Sequence, residues 1–269
     1  MRALLASPLG FLIGVSLGAL GGGGSILAIP ALVYAAGQTP KQATTTSLVL
    51  VAITAVIGIM PHWRAHRVRF AAGTIFGLSG IGGSLLGSHW NKAANPNVLL
   101  LAFSGLMIVA AYAMWRRANS TPEATPLRSV GAAAAPLAAS SVRIEPMTVL
   151  KVVVAGTIVG LLTGFFGVGG GFVIVPALVL ALGFTMPEAI GTSLLVITIN
   201  SATALTTRLQ GGSIEWGTVI PFTIASLLGV VVGSRLASTR DATSLQRWFV
   251  GLLVVVAIYT AVRSGLALS

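Results

Sequence analysis

The sequence predicts an all-α polytopic membrane protein. It reads as eight apolar segments in two homologous four-segment repeats, the first segment of each repeat broken or re-entrant at a glycine-rich run. Three observations carry this. Of 269 residues only 21 are formally charged, 16 Lys plus Arg and 5 Asp plus Glu, which is 8%; a soluble domain carries about 25%. Hydrophobic residues make up 55% and mean hydropathy is +0.95, which excludes a soluble globular enzyme and, for most of the chain, disorder. Two stretches of the chain also align with each other at one fixed offset.

The apolar segments fall at about 8–36, 44–61, 70–88, 97–115, 148–182, 190–207, 216–236 and 247–264. A crossing helix needs roughly 20 apolar residues. The charges lie almost entirely between these segments. Residues 118–147, rich in Ala, Pro and Ser, read as a flexible cytoplasmic linker. The expected organisation is a first membrane repeat over 1–117, the linker over 118–147, and a second repeat over 148–269.

The halves align at an offset of 176 − 30 = 146, set by Pro30-Ala31-Leu32-Val33 and Pro176-Ala177-Leu178-Val179. From Gly10 to Arg117, about 29 of 108 ungapped pairs are identical, against roughly 10% expected from apolar composition. Repeats of this kind are common in secondary transporters, with the substrate site at the repeat interface. The same alignment gives the N-terminal apolar run a counterpart at 156–182, so it reads as part of the fold rather than a cleaved leader.

The first segment of each half is about 29 and 35 residues long, enough for one crossing or for a re-entrant hairpin. Single crossings give the halves one orientation and hairpins give them opposite orientations. Counted by the positive-inside rule, both arrangements divide the 16 basic residues 11 against 5. Charge does not separate them. Both put the Arg64–Arg69 loop and the linker in the cytoplasm. The net charge of +11 is then mostly the cytoplasmic bias of a membrane protein, not a nucleic-acid footprint.

The candidate site is a glycine run. Gly18 is followed by Gly21, Gly22, Gly23, Gly24 and Ser25, then Pro30; the second half has Gly164, then Gly167, Gly169, Gly170 and Gly171, then Pro176. Glycine costs about 1 kcal/mol per residue in a helix relative to Ala. One reading is close helix packing through small residues. The other is an unwound element whose free N–H groups, backed by a helix N-terminus, suit an anion. A run of three or four glycines, followed by Pro and duplicated, favours the second. No Gly-Lys-Ser/Thr follows, so it is not a nucleotide loop.

Downstream, Thr44, Thr45, Thr46 and Ser47 are matched by Gly191, Thr192 and Ser193; helix capping and ligand binding both fit such hydroxyls. Asn200 and Ser201 fall in the middle of the sixth segment, where an amide needs a partner helix or a substrate. The acids Glu123, Glu145, Glu188, Glu215 and Asp241 fall in or beside loops, which argues against a buried carboxylate relay. Arg208 and Arg235, near segment ends, read as snorkelling or as anion ligands. His62 and His66 are placed in the basic loop with Arg64, Arg67 and Arg69. The three histidines lack acidic partners, and the chain has no cysteine. No catalytic or metal constellation is expected, so neither enzyme activity nor a cofactor is.

The duplicated pattern of a glycine-rich run, Pro-Ala-Leu and downstream Thr-Ser resembles the TauE/SafE family of membrane permeases, most specifically over Gly21–Pro30 and Gly167–Pro176. The resemblance implies a transporter of sulfur-containing anions and organic acids: sulfite, sulfoacetate, thiosulfate, aryl sulfonates. The halves depart from each other at Ser25 against Gly171 and at Gly22 against Val168, so unequal contributions to a site are expected. The resulting expectation is an inner-membrane exporter of small sulfur oxyanions, the anion bound by Gly21–Gly24, Ser25, Thr46, Ser47, Gly167, Gly169–Gly171, Thr192, Ser193 and Asn200. The alternatives are an uptake permease for carboxylates or sulfonates and a membrane scaffold subunit without transport. The expected partners are the small anion and the lipid bilayer, with self-association left open.

Overall fold

The computed structural model describes residues 7–34, 36–91, 96–120, 146–166, 171–208 and 216–268. Most of the expected linker, 121–145, lies outside them. Among the described residues all regular structure is helical. The helices are α1 (Ser7–Leu20), a 3-10 turn (Gly21–Gly24), α2 (Ser25–Tyr34), α3 (Pro40–Arg64), α4 (Phe70–Asn91), α5 (Pro96–Ser120), α6 (Pro146–Phe166), α7 (Gly171–Leu180), α8 (Met186–Arg208), α9 (Trp216–Thr239) and α10 (Ala242–Leu268). Six of them, α3, α4, α6, α8, α9 and α10, are long and apolar enough to cross a membrane, whereas α1 and α7 are shorter apolar helices. The long segments expected at 8–36 and 148–182 are each two helices.

Outward positions carry large apolar side chains: Leu85, Leu86, Val109, Leu228 and Val255 are all more than half exposed. In water this would be costly; against lipid it is the expected surface, since helices satisfy their backbone groups internally.

Local chemistry explains the boundaries. Thr39 caps α3 with a reciprocal capping box: its hydroxyl accepts from Gln42 N–H, and Gln42 Oε1 accepts from Thr39 N–H at 3.1 Å, with Pro40 in the first turn. At α8, Thr185 N–H donates to Glu188 Oε2 at 3.1 Å. Residues 44–47 therefore do not open a segment: Thr46 and Ser47 lie well inside α3, and Thr192 and Ser193 lie well inside α8. α2 and α7 end alike. Gly37 (φ 71) and Gly183 (φ 72) adopt the left-handed conformation, and Gln38 N–H and Phe184 N–H reach back to the Leu32 and Leu178 carbonyls at 3.1 Å, the six-residue closure of a Schellman motif.

The tertiary contacts give the helix directions. Gly10, Gly14 and Gly18 of α1 lie against Phe222, Ser226 and Val230 of α9, so these helices run parallel. Gly156, Gly160 and Gly164 of α6 lie against Phe76, Gly80 and Ser84 of α4, also parallel. Gly73 and Gly77 of α4 meet Thr192 and Ile199 of α8, again parallel. Gly58 meets Leu194 while His62 meets Gly191, so α3 and α8 are antiparallel. If each long segment crossed once, α3 and α8 would run the same way and α4 and α8 opposite ways. The observed set requires the chain to reverse between α1 and α2 and again between α6 and α7. At the first reversal the fold-back is direct: Gly24 packs on the backbone of Ile13 and Leu17.

Other ties join the layers. Ser226 Oγ–H donates to the Gly10 carbonyl at 2.7 Å. Gln246 Nε2–H donates to the Met114 carbonyl at 2.7 Å, joining α10 to α5. The Arg117 guanidinium donates to the Val179 carbonyl at 2.6 Å, and Phe103 meets Phe172 edge-on at 4.8 Å, which fixes α7 against α5.

Candidate functional site

The site is organised by the turn at Gly21–Gly24. Leu20 leaves helical geometry (φ −121, ψ 4). Gly21 has φ +66, a conformation costly for other residues. One 3-10 turn follows and α2 starts at Ser25. Ser25 Oγ–H donates to the Gly22 carbonyl at 2.7 Å, and Ser25 N–H goes to the same oxygen. The tip is thus closed on itself by one side chain.

At this tip the turn before α2 touches the start of α7. The backbones of Gly22 and Gly171 are in contact, with Ser25 Oγ also against Gly171, and a methyl group on Gly22 would overlap the Gly171 carbonyl. A third wall comes from α8. Ser193 Oγ and Ile190 lie against Gly21; Ser193 is fully buried, and its hydroxyl donates to the Ile190 carbonyl at 2.8 Å. So the structure brings together Gly21, Gly22, Gly24, Ser25, Gly171 and Ser193 of the residues singled out by sequence. Gly23 belongs to the same turn. Gly167, Gly169 and Gly170 lie outside the described residues.

The remaining candidates are distributed differently. Thr192, fully buried, accepts from Arg69 N–H at 3.1 Å, so it is tied to the α3–α4 corner. Thr46 and Ser47 are buried in the first half of α3. Asn200 is seven residues after Ser193 on α8 and so shares its face. Its Oδ1 is buried without a hydrogen-bond partner among the described residues.

The α3–α4 corner closes over this region, which the sequence reading missed. His62 is not in a loop. It is on α3, 2% exposed, with Nε2 3.4 Å from the Gly18 carbonyl of α1. Its Cβ and the Arg67 carbonyl face Gly191, directly before Thr192 and Ser193. Arg69 pairs with Glu188 through Nε at 3.0 Å and Nη2 at 2.6 Å. Helical spacing is the signal that finds His62: Thr54, Gly58 and His62 fall at i, i+4 and i+8 on one face of α3.

The description "Sulfite exporter TauE/SafE" matches residues 6–260. The chain belongs to the TauE/SafE family. A "Probable membrane transporter protein" of Xylella fastidiosa (strain 9a5c) is 35% identical over 96% of this chain and 95% of its own length. The "Probable membrane transporter protein YunE" of Bacillus subtilis (strain 168) is 24% identical over 95% of this chain and 92% of its own. The "Probable membrane transporter protein MJ0441" of Methanocaldococcus jannaschii is 34% identical over 40% of this chain and 43% of its own. No solved structure matches the chain. This TauE/SafE member is a multi-pass membrane protein of a transporter family, and its glycine tip lies inside the matched region.

Proposed function

We propose that this TauE/SafE protein is a secondary transporter that exports small sulfur-containing oxyanions, such as sulfite, sulfonates or thiosulfate, across the bacterial inner membrane. The observation that carries the reading is the meeting of Gly22 with Gly171. Two re-entrant elements touch there through bare backbone, beside the buried hydroxyls of Ser25 and Ser193. Interrupted helices inside a bilayer are tolerated where they line a cavity or are covered by protein. Their free N–H groups and positive helix ends favour an anion. With no acidic side chain at the tip, repulsion of an oxyanion is absent from the described wall.

The chain reads further as two inverted repeats. Under the 146 offset, Gly10 against Phe222 maps onto Gly156 against Phe76, and Gly18 against Val230 maps onto Gly164 against Ser84. The antiparallel pair α3 and α8 would straddle the pseudo-two-fold axis. Rocking of one half against the other around the tip exposes the anion alternately, and the segment 118–147 joins the halves on the cytoplasmic side. The chemistry is transport only, with no covalent step and no cofactor.

The test is flux in proteoliposomes holding the purified chain, with labelled sulfite, thiosulfate, sulfoacetate and acetate compared in counterflow. Sulfur oxyanions should exchange and acetate should not; preference for acetate would replace the reading by a carboxylate permease. Sidedness is tested with single cysteines at Ala36 and Leu182, positions related by the offset. Labelling from opposite faces is expected, and labelling from one face would contradict the inverted arrangement.

A further inference from the structure

Ionisable side chains are scarce inside this protein. Among the residues whose side chains are described, His62 is the buried histidine, and no Asp, Glu, Lys or Arg is buried. Its position is specific. In an unbroken helix the Gly18 carbonyl would accept from the N–H of residue 22. α1 stops at Leu20, so its last carbonyls need other donors. His62 Nε2, 3.4 Å away, supplies one. The same residue backs onto α8: its Cβ faces Gly191, one residue before Thr192 and two before Ser193. One residue thus reaches both the end of the broken helix, through its ring, and the helix that lines the tip, through its Cβ.

The charged groups around it are few. The corner contributes Arg64, His66, Arg67 and Arg69, of which Arg67 meets Gly191 through its backbone carbonyl. α8 contributes Glu188, which is held by Arg69. The described residues of α1 carry none, and α9 contributes Arg235, which is exposed. Among the described residues no carboxylate pairs with the ring, so its charge is matched best by something that comes and goes.

We propose that anion movement is coupled to protons and that His62 carries the coupling proton. The inference rests on the reading of the tip as the moving, anion-lining element. In the present arrangement the neutral ring donates Nε2–H to Gly18. When the tip and the corner part, Nδ1 takes a proton from water. The imidazolium then stands at the C-terminal end of α1, where positive charge is favoured, and within the field of an anion at the tip. Anion and proton favour each other's binding, by linkage. Departure of the anion removes that stabilisation and the proton returns to water on the far side. A monoanion and one proton cross together without net charge, so export runs down the anion's own gradient and an inward proton gradient opposes it.

The experiment uses the full chain in liposomes and has two arms. In the first, labelled sulfite flux is measured with and without an imposed pH gradient. Wild type should accelerate several-fold with the gradient. His62→Gln keeps an N–H donor for Gly18 but does not titrate, so it should lose the gradient response while slower counterflow persists. His62→Met, which fills the space without a proton, should lose it too. A wild type indifferent to the gradient, or a His62→Gln chain that still responds, overturns the proposal. The second arm needs no substrate. The chain has no native cysteine, so Leu20→Cys at the tip is a unique thiol, introduced into wild-type and His62→Gln backgrounds. The ratio of labelling rates in the two backgrounds cancels the thiol's own titration. It should change several-fold across the histidine range, about pH 5 to 8; a flat ratio overturns the proposal. If no sulfur oxyanion moves at all, the substrate assignment fails and the second arm still decides the role of His62.

Discussion

Two groups of glycines in this protein do opposite things. Along the α1–α9 and α4–α6 seams, glycines sit in unbroken helices and let backbones approach: Gly14 against Ser226, Gly160 against Gly80, Gly233 against Val15. At the tip, Gly21–Gly24 end a helix and turn the chain. The sequence offers packing and unwinding as rival readings of one glycine-rich stretch. Both hold, seven residues apart, because Gly14 keeps its helical hydrogen bonds and Gly21, with φ +66, does not. Seams fix how the helices stand; the tip brings the start of α2 against the start of α7.

That contrast can be broken in graded ways. The largest effect is expected at a seam. Gly160→Val puts a branched side chain against the Gly80 backbone, and overpacking of this kind costs about 1–3 kcal/mol. A lower thermal midpoint in detergent, read by size-exclusion fluorescence, is the check, with transport falling in step with folded protein. Next comes the joint between corner and tip. Gly191→Ala presses on the Arg67 carbonyl and the His62 side chain, so transport should slow several-fold with the thermal midpoint nearly unchanged. A midpoint that drops with the rate would make Gly191 a seam residue instead. Smaller again is Glu188→Gln, which removes the pair with Arg69. The Arg69 side chain is 59% exposed, so a loss within about 1 kcal/mol is expected after solvent screening. Smallest is Gly82→Ala, whose methyl meets nothing within 4 Å. It should leave transport alone and stabilise α4 by up to about 1 kcal/mol.

Much of this was readable from the sequence because it depends on local composition. Charge scarcity marks the membrane, four glycines in a row mark the break, and Thr-Ser on α8 marks a polar wall, of which Ser193 does reach Gly21. What stayed hidden depends on tertiary contacts. The charge count divides identically for both topologies, so only the α3–α8 crossing, Gly58 with Leu194 and Gly191 with His62, reveals the reversals. The capping box at Thr39 and the Thr185 bonds to the Glu188 carboxylate start α3 and α8 earlier than hydropathy suggests, because polar first turns lower the local average. His62 was misplaced for the same reason: it follows Pro61 and precedes Trp63-Arg64, a stretch that looks like a loop, yet α3 continues through Arg64 and buries the ring against Gly18.

The proposed anion site is the tip, not a seam. The direct measurement is labelled sulfite counterflow in proteoliposomes for Gly22→Ala beside Gly82→Ala, each matched for folded protein by size exclusion. Gly82→Ala should exchange at the wild-type rate, and Gly22→Ala, whose methyl overlaps the Gly171 carbonyl, should lower the thermal midpoint and show no exchange even by its folded fraction. Equal exchange by the two variants would contradict a site at the meeting of the two breaks.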